Sequence, residues 1–348
     1  MKLPLREFAT PGWLLIGALL AGGGAVGAYQ MFGGHLFATN DALVWTLPLI
    51  TYIFLALMST GVSLILAYGL ITGRAAITAC TRPLLIVALG LLVGGFTALG
   101  TELGSLLNMV WTMLSPNPRS PIWWMATLYT IELALLAFKL VRDLRGQHGA
   151  VDRPLAWATL VVAAAAAMTI GAVFGTVAGR PDYHGSFLSV VTLVAALASG
   201  AAVLVLLQVG RELTHVATSV MRQSTLLLAA LVLARVAYES QGAVIGALGW
   251  ASVWLALPLI VAAVFVQRAP RPMSLVVILG VLAIEYSVIV TGQLVSLGPA
   301  ATWFGAVQSY RPNAAELAVF GLGVAVAAAL IRVGNRLLLD SRETATPH

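Results

Sequence analysis

The chain has 348 residues and a formal net charge of +6, and 60% of its residues are hydrophobic while only 9% are charged. Soluble domains carry about 25% charged residues, so this composition excludes a soluble enzyme. The single cysteine, Cys80, excludes a disulfide framework, a multi-thiolate zinc site and an iron–sulfur cluster held by this chain.

Ten apolar runs follow one another along the chain. They cover residues 13–31, 45–70, 84–109, 122–141, 155–178, 187–209, 224–245, 251–266, 273–295 and 313–333. Because a membrane-spanning helix needs about 20 apolar residues, we predict an all-α integral membrane protein with about ten transmembrane helices. The loops between the runs are too short to form an extramembrane catalytic domain.

The basic residues of the loops and tails are distributed unevenly between the two sides of these spans. Fifteen Lys and Arg residues fall on the side that holds both termini, whereas Arg119, Arg180 and Arg311 fall on the other side. Cytoplasmic loops retain basic residues, so both termini are predicted to be cytoplasmic, and the opposite side is called the outer side below. The basic residues are scattered in ones and twos, which favours this explanation over nucleic-acid binding.

A faint internal repeat divides the spans into two units. Residues 55–66 align without a gap with residues 194–205, so that Gly61 matches Gly200. Both stretches run from the outer side inward, which makes the repeat parallel. We predict two four-helix bundles in residues 45–178 and 179–295, flanked by a helix and outer loop in 1–44 and by a helix and cytoplasmic tail in 296–348.

Several ionisable residues lie inside the predicted spans, where each costs about 2.5 to 3.5 kcal/mol on insertion scales. Glu132 and Glu285 lie near mid-depth without a local partner in sequence, which is compatible with a proton relay or with hydrogen-bonded packing. Arg235 and Glu239 are four residues apart on one helix face, so a structural ion pair explains them without a function. All four residues are candidates for a proton path.

The positions of the histidines and tryptophans limit the kind of ligand. All five histidines fall in loops or tails, whereas a b-type cytochrome needs axial histidines on its helices, so we expect no haem in this chain. Seven of the nine tryptophans lie toward the outer side. A simple aromatic belt would populate both interfaces, so the excess indicates a docked partner or a flat aromatic ligand on the outer side.

Residues 102–129 contain the densest group of polar and aromatic side chains. A proline-rich loop, 115–121, joins the third span to the fourth, and its prolines restrict it to an extended turn. Carboxylate, amide, phenol and indole groups would then meet at one membrane depth, as a quinone ring requires. These side chains are Glu102, Asn108, Tyr129, Trp111, Trp123 and Trp124, and the loop adds the guanidinium group of Arg119.

These motifs resemble the polysulfide reductase membrane-subunit family, also called NrfD-like. The resemblance rests on the Glu102-Leu103-Gly104 end of the third span, the Ser-Pro turn and the tryptophan that opens the next helix. Residues 45–66, the Gly-x-Gln helix at 280–293 and the last helix with its outer Glu, 316–323, also fit. The family membership would imply a multi-pass protein of the bacterial cytoplasmic (inner) membrane.

The resemblance also implies cofactors and partners. Such a subunit binds exchangeable menaquinone or ubiquinone and carries no haem or iron–sulfur cluster of its own. It exchanges electrons with a ferredoxin-like iron–sulfur subunit on the periplasmic side. That partner connects to a molybdopterin catalytic subunit or to a multihaem cytochrome. Membrane lipids surround the chain, and no nucleic acid is involved.

The resemblance assigns provisional roles to individual residues. Glu102, Asn108 and Tyr129 are expected around the quinone, with Asp41 as an additional member. Trp111, Arg119, Trp123 and Trp124 are expected to form the wall of the site or the surface on which the partner docks. The chain departs from the family pattern in two places: Glu285 stands where members often have arginine, and residues 40–46 contain no histidine.

Two other functions remain open from the residues alone. A secondary transporter would also have about ten helices and an internal repeat, although the repeat here is parallel and lacks a matching pair of broken helices. A purely structural anchor would use the buried polar groups only for packing.

Overall fold

The computed structural model describes residues 10–40, 43–103, 106–177, 185–239, 247–294 and 309–339, and these residues form twelve α-helices and no β-strand. The helices are, in chain order, α1 Pro11–Phe32, α2 Leu47–Thr72, α3 Ala75–Thr78, α4 Thr81–Glu102, α5 Leu106–Leu114, α6 Pro121–Leu144, α7 Asp152–Gly175, α8 Phe187–Leu207, α9 Arg211–Glu239, α10 Ala247–Phe265, α11 Pro270–Leu294 and α12 Ala314–Leu339.

Nine of the described helices are long and apolar enough to cross a membrane, and α10 contributes a shorter apolar segment, Val253–Phe265. A backbone in lipid must form its hydrogen bonds internally, so apolar runs of this length fold as helices. Proline occupies the first or second position of α1, α2 and α6, where its missing N–H leaves no helical hydrogen bond unmade. The predicted all-α integral membrane fold is confirmed.

The third predicted span differs from the structure at its outer end. The apolar pattern continues to residue 109, but α4 ends at Glu102 and the short helix α5 begins at Leu106. Gly104 follows in the sequence, and glycine costs a helix interior about 1 kcal/mol relative to alanine. Asn108 and Trp111 therefore lie on a separate nine-residue helix and not on α4.

The long helices pack as two rings. Helices α2, α4, α6 and α7 contact one another in one closed ring, and α8, α9, α10 and α11 form the second. Helix α12 packs on α4 and α2, and α1 packs on α12. The division into two four-helix units and the domain boundaries given above stay predictions.

Helix α2 is the centre of this arrangement. It contacts α4 and α7 of its own ring and α8 and α11 of the other. Its most apolar stretch is 94% buried inside the protein. A helix that is apolar on all sides is expected in such a central position.

The closest approach between the two rings occurs where α2 crosses α8. A Cβ atom added to Gly61 would lie 1.8 Å from the Ala196 carbonyl oxygen, and one added to Gly200 would lie 2.5 Å from the Gly61 backbone. Only glycine fits at either position. Gly61 and Gly200 are also the two glycines that the repeat alignment matches, so residues at equivalent positions in the two halves meet in space.

Candidate functional site

A cavity of about 790 Å³ lies inside the first ring, at the outer ends of its helices. Its walls come from α2, α4, α5, α6 and α7 and from the segment before α2 that carries His35, Asn40 and Trp45. Most lining side chains are apolar, and the volume lies within the range of ligand pockets, about 300 to 1,000 Å³.

Flat aromatic side chains form two parts of this wall. The rings of Tyr52 and Phe96 stack with their centroids 5.7 Å apart. Trp45 meets Phe174 edge-on at 5.2 Å. These rings give the cavity planar apolar faces that suit a planar aromatic or quinonoid ligand.

Glu102 is the carboxylate of the cavity. It is the last residue of α4, and its two carboxylate oxygens lie 3.3 and 3.4 Å from the Thr46 hydroxyl, which donates to them. Thr46 is fully buried at the N-terminus of α2 and so fixes the carboxylate against the cavity wall. A carboxylate held in this way can accept a proton or a hydrogen bond from a ligand.

Tyr52 is a tyrosine in the wall of the same cavity. The residue is fully buried, and its hydroxyl has no hydrogen-bond partner among the described residues. Leaving a buried donor unpaired costs about 1 to 3 kcal/mol, so such groups are unusual outside functional sites. The Tyr52 hydroxyl itself has almost no accessible surface, so it can donate to a ligand oxygen only where a small shift of its neighbours opens it to the cavity.

A second group of polar side chains lies behind Tyr52, toward the middle of the ring; it consists of Tyr129, Glu132 and Thr60 and is called the inner polar cluster. Tyr129 packs edge-on against Tyr52 with ring centroids 5.9 Å apart. The Thr60 hydroxyl donates to Glu132 Oε2 at 3.0 Å. The Tyr129 hydroxyl and Glu132 Oε1 have no partner at normal hydrogen-bond geometry in the described part of the chain, although the hydroxyls of Thr60 and Ser63 lie close to Tyr129 and Glu132 respectively.

The outer segment before α2 is held by a glutamine of the second ring. Gln293 Oε1 accepts hydrogen bonds from the backbone N–H groups of Val44 and Trp45 at 2.9 and 2.8 Å. Its Nε2 donates to the carbonyl oxygens of Trp45 and Ile289 at 2.9 and 3.0 Å. Gln293 thus ties α11 to the residue that forms one wall of the cavity.

A carboxylate at the start of α12 holds the same segment at another point. Glu316 is fully buried, and it accepts from the Ala38 N–H, from the Tyr310 hydroxyl and from the Asn313 N–H, each at 2.9 Å. The Tyr310 oxygen accepts in turn from the Leu47 N–H at 2.9 Å. Burial, together with the Glu316 carboxylate, raises the pKa of Tyr310, so its hydroxyl stays protonated and donates.

Of the three predicted quinone residues that the structure describes, one lies at the cavity wall. Glu102 lines it, whereas Tyr129 is fully buried behind Tyr52. Asn108 lies exposed on α5, and its Nδ2 donates to the Leu103 carbonyl at 3.0 Å. Asp41 lies outside the described residues, although its neighbours Asn40 and Thr39 line the cavity. The quinone-binding assignments themselves stay predictions.

The predicted wall residues are near the cavity but do not line it. The indole N–H groups of Trp123 and Trp124 donate to the Met113 and Pro118 carbonyls at 3.3 and 2.9 Å. They thereby fix α5 and the proline-rich loop in place. Trp111 is 61% exposed, and Arg119 lies exposed in the loop. A partner-docking role for this surface stays a prediction.

The remaining candidates of the proton path belong to α9 and α11 of the second ring. Glu285 is buried on α11, within electrostatic range of Tyr129. Arg235 lies half-buried on α9 and lines a small cavity of the second ring. The side chain of Glu239 lies outside what the structure describes, so the predicted Arg235–Glu239 pair stays a prediction.

Sequence reasoning missed Tyr52, Gln293 and His35 as contributors to the site. His35 is exposed at the cavity, where its Nε2 lies 2.6 Å from the Thr39 hydroxyl and its Nδ1 3.3 Å from Gln30 Nε2. A tyrosine inside an apolar run and a histidine in a loop carry no local signal of a shared cavity. Within the described residues, no group of three or more His, Cys, Asp or Glu side chains is arranged to hold a metal ion.

Comparison with known proteins identifies the family. The family described as polysulphide reductase, NrfD, matches residues 35–297, which include the cavity and both helical rings but not α1 or α12. No curated protein matches the chain. Because the match covers more than half of the sequence, the chain belongs to the polysulphide reductase NrfD family.

Proposed function

We propose that this chain is the membrane anchor and quinone-reactive subunit of a respiratory oxidoreductase complex. It would pass electrons between membrane quinone, either menaquinone or ubiquinone, and an iron–sulfur subunit docked on the periplasmic face of a bacterial inner membrane. Membership of the NrfD family implies a membrane subunit of a quinone-linked complex, which supports the broader part of this proposal. The oxidoreductase activity belongs to the complex, and this chain supplies the quinone site.

The observation that carries the proposal is the aromatic-walled cavity with Glu102 and the unpartnered Tyr52 hydroxyl. A quinol supplies two electrons and two protons when it is oxidised. Glu102 would accept a proton from a ring hydroxyl, and the Tyr52 hydroxyl would donate a hydrogen bond to a ring oxygen. The Trp45 and Phe174 rings would orient the quinone ring and exclude water from it.

The inner polar cluster supports a second part of the proposal, a proton relay. Tyr129 lies against Tyr52, and Glu132 lies three residues further along the buried face of α6. This sequence of polar groups leads from the cavity toward the middle of the first ring. Glu132 would exchange protons with the cavity, and Glu285, Arg235 and Glu239 would belong to a wider path that includes the second ring.

The outer surface supports the position of the electron-transfer partner. Trp111 and Trp124 are exposed beside the proline-rich loop, and Arg119 adds a positive charge there. A surface of exposed indoles and one cation suits a protein partner. The partner would be the iron–sulfur subunit, which in turn reaches a molybdopterin subunit or a multihaem cytochrome.

Substitution of the two cavity residues tests the quinone site. In the purified complex, Glu102→Gln should lower the turnover of a quinol analogue about a hundred-fold, because general-base catalysis contributes about 10²- to 10⁴-fold. Tyr52→Phe should lower it about ten-fold through loss of one hydrogen bond. Tyr68→Phe, an exposed tyrosine on the same helix, is the matched control and should be unchanged. Full activity in both cavity variants would remove the assignment and favour a purely structural anchor.

A further inference from the structure

A groove of about 550 Å³ lies beside the cavity, on the lipid-facing side of the first ring. It is formed by α1, α4 and α6 and by Leu322 of α12. Two side chains, Phe96 and Leu133, line both the groove and the cavity. These two side chains are therefore the wall that the two spaces share.

The groove offers no free polar group within its described lining. Its hydroxyls belong to Thr97 and Thr101, which donate to the carbonyl oxygens of Val93 and Ala98 at 2.8 and 2.7 Å. A Cβ atom on Gly27 would meet the Thr101 methyl group at 2.9 Å, so that methyl group points toward α1. The groove suits a hydrocarbon chain and not a polar head group.

The glycines of α1 divide into packing positions and open positions. A Cβ atom on Gly23 would lie 2.5 Å from the Ala318 carbonyl oxygen, which places Gly23 in close contact with α12. Gly24 lines the groove, and a Cβ atom there would meet nothing within 4 Å. Gly24, Gly27, Ala28 and Met31 follow the spacing of one helix face and form one side of the groove over roughly 10 Å of helix.

We propose that this groove is the channel through which the isoprenoid tail of the quinone leaves the cavity and reaches the bilayer. The inference rests on the proposed function, because it takes the ring to occupy the cavity. A tail attached to the quinone head group must pass between the helices of the first ring to reach lipid. The cavity and the groove adjoin at the shared wall of Phe96 and Leu133. The groove runs inward from the outer end of α1, as a tail lying in the outer leaflet would.

The groove lets the isoprenoid tail pass to the bilayer and adds little to the binding affinity of the quinone. Lipid chains are as apolar as an isoprenoid tail, so moving the tail from lipid into the groove gains little free energy. Blocking the groove should therefore exclude a tail-bearing quinone sterically and leave a tail-free quinone unaffected. Helices α1 and α12, which complete the groove, lie outside the residues matched by the NrfD family.

Two matched pairs of variants test this inference. Gly24→Phe places a ring in the groove, and Gly22→Phe places one at another open position on the opposite face of α1. Ala28→Phe and Ala25→Phe form a second pair that does not depend on a glycine. Binding is measured by quenching of tryptophan fluorescence for the full chain in nanodiscs. The probes are a dimethylnaphthoquinone and a dimethoxybenzoquinone, each with and without an isoprenoid tail at equal mole fraction in the lipid.

We expect both groove variants to weaken binding of the tail-bearing quinone at least ten-fold and to bind the tail-free ring as the wild type does. The two control variants should change neither. Unchanged binding of the tail-bearing quinone by the groove variants would overturn the groove assignment and leave the quinone site intact, and loss of co-purified phospholipid in those variants would then identify a lipid as the occupant. If the wild-type chain binds neither ring, the proposed function itself fails, and this inference fails with it.

Discussion

Tyr52 lines the cavity from α2, and its ring packs edge-on against the ring of Tyr129. Residues 102–129 predicted a phenol near the carboxylate, and Tyr129 was the tyrosine in that segment. In the fold, Tyr129 and Tyr52 face each other from α6 and α2, and Tyr52 is the one that lines the cavity. Sequence spacing predicts which face of a helix a residue occupies, but it does not predict which of two facing side chains lines a cavity.

Glu102 was predictable because it is a carboxylate inside an apolar run. A carboxylate at that depth is costly unless it is hydrogen-bonded or has a function. Glu102 accepts a hydrogen bond from the Thr46 hydroxyl and lines the cavity. His35 could not be assigned in this way, because the long-range hydrogen bonds of Glu316 and Gln293 decide where its loop lies. Those bonds join residues about 250 to 280 positions apart.

Glu132 provides a prediction at the residue scale. Glu132→Gln retains an oxygen that accepts from Thr60 but cannot exchange a proton. We expect charge movement per turnover in proteoliposomes to fall at least about two-fold, while quinol binding is retained. The same experiment with Glu285→Gln tests the other buried carboxylate.

The control for this experiment is Glu212→Gln, which alters an exposed carboxylate at the start of α9. It should leave charge movement unchanged. Normal charge movement per turnover in both Glu132→Gln and Glu285→Gln would remove the proton-path hypothesis.

At the scale of elements, the long helices were predictable and the short helices α3 and α5 were not. Apolar runs of membrane-spanning length give a strong signal, and α2 and α8 begin close to their predicted positions. Helix α5 was merged with α4 because its residues continue the apolar pattern. Its separation matters, since Val110 and Met113 of α5 close one side of the cavity.

Hydrogen bonds from Gln293 hold the segment before α2 in place. The variant Gln293→Ala tests their contribution. The change removes four hydrogen bonds and leaves the Val44 and Trp45 backbone groups without their acceptor. We expect a loss of about 2 to 4 kcal/mol in the free energy of unfolding. The KM for quinol should also rise, because Trp45 forms a wall of the cavity.

Thermal unfolding in detergent and steady-state kinetics measure these two effects. Gln147→Ala, in the exposed loop between α6 and α7, should change neither Tm nor KM. A normal KM in a destabilised Gln293→Ala protein would show that this segment does not shape the cavity.

At the scale of the whole molecule, the two rings meet at glycines that occupy equivalent positions in the repeat. A parallel repeat places equivalent residues face to face at its axis, and Gly61 and Gly200 lie in this way. The weak alignment of residues 55–66 with 194–205 therefore corresponds to a contact between the two halves. The alignment identified the matching glycines, but it did not predict that their backbones are in contact.

Gly61→Ala is predicted to disturb the contact between the rings. The added methyl group would lie 1.8 Å from the Ala196 carbonyl oxygen, so α2 and α8 would have to separate. Overpacking of this kind costs typically about 1 to 3 kcal/mol. Tm in detergent should fall clearly for Gly61→Ala, whereas Gly22→Ala, at an open position on α1, should leave it unchanged. Equal Tm values for the two variants would contradict the close crossing.

The same alignment, continued along α2 and α8, pairs Tyr52 with Val191, Ser59 with Ala198 and Ser63 with Ala202. Side chains that are polar in the first half are thus apolar in the second at these matched positions, although the two helices share one crossing point. The two halves of the repeat therefore share a helix arrangement but differ in the polarity of the side chains at these matched positions. The expected stoichiometry is therefore one quinone ring per chain, with the second half serving as the support against which the first is held.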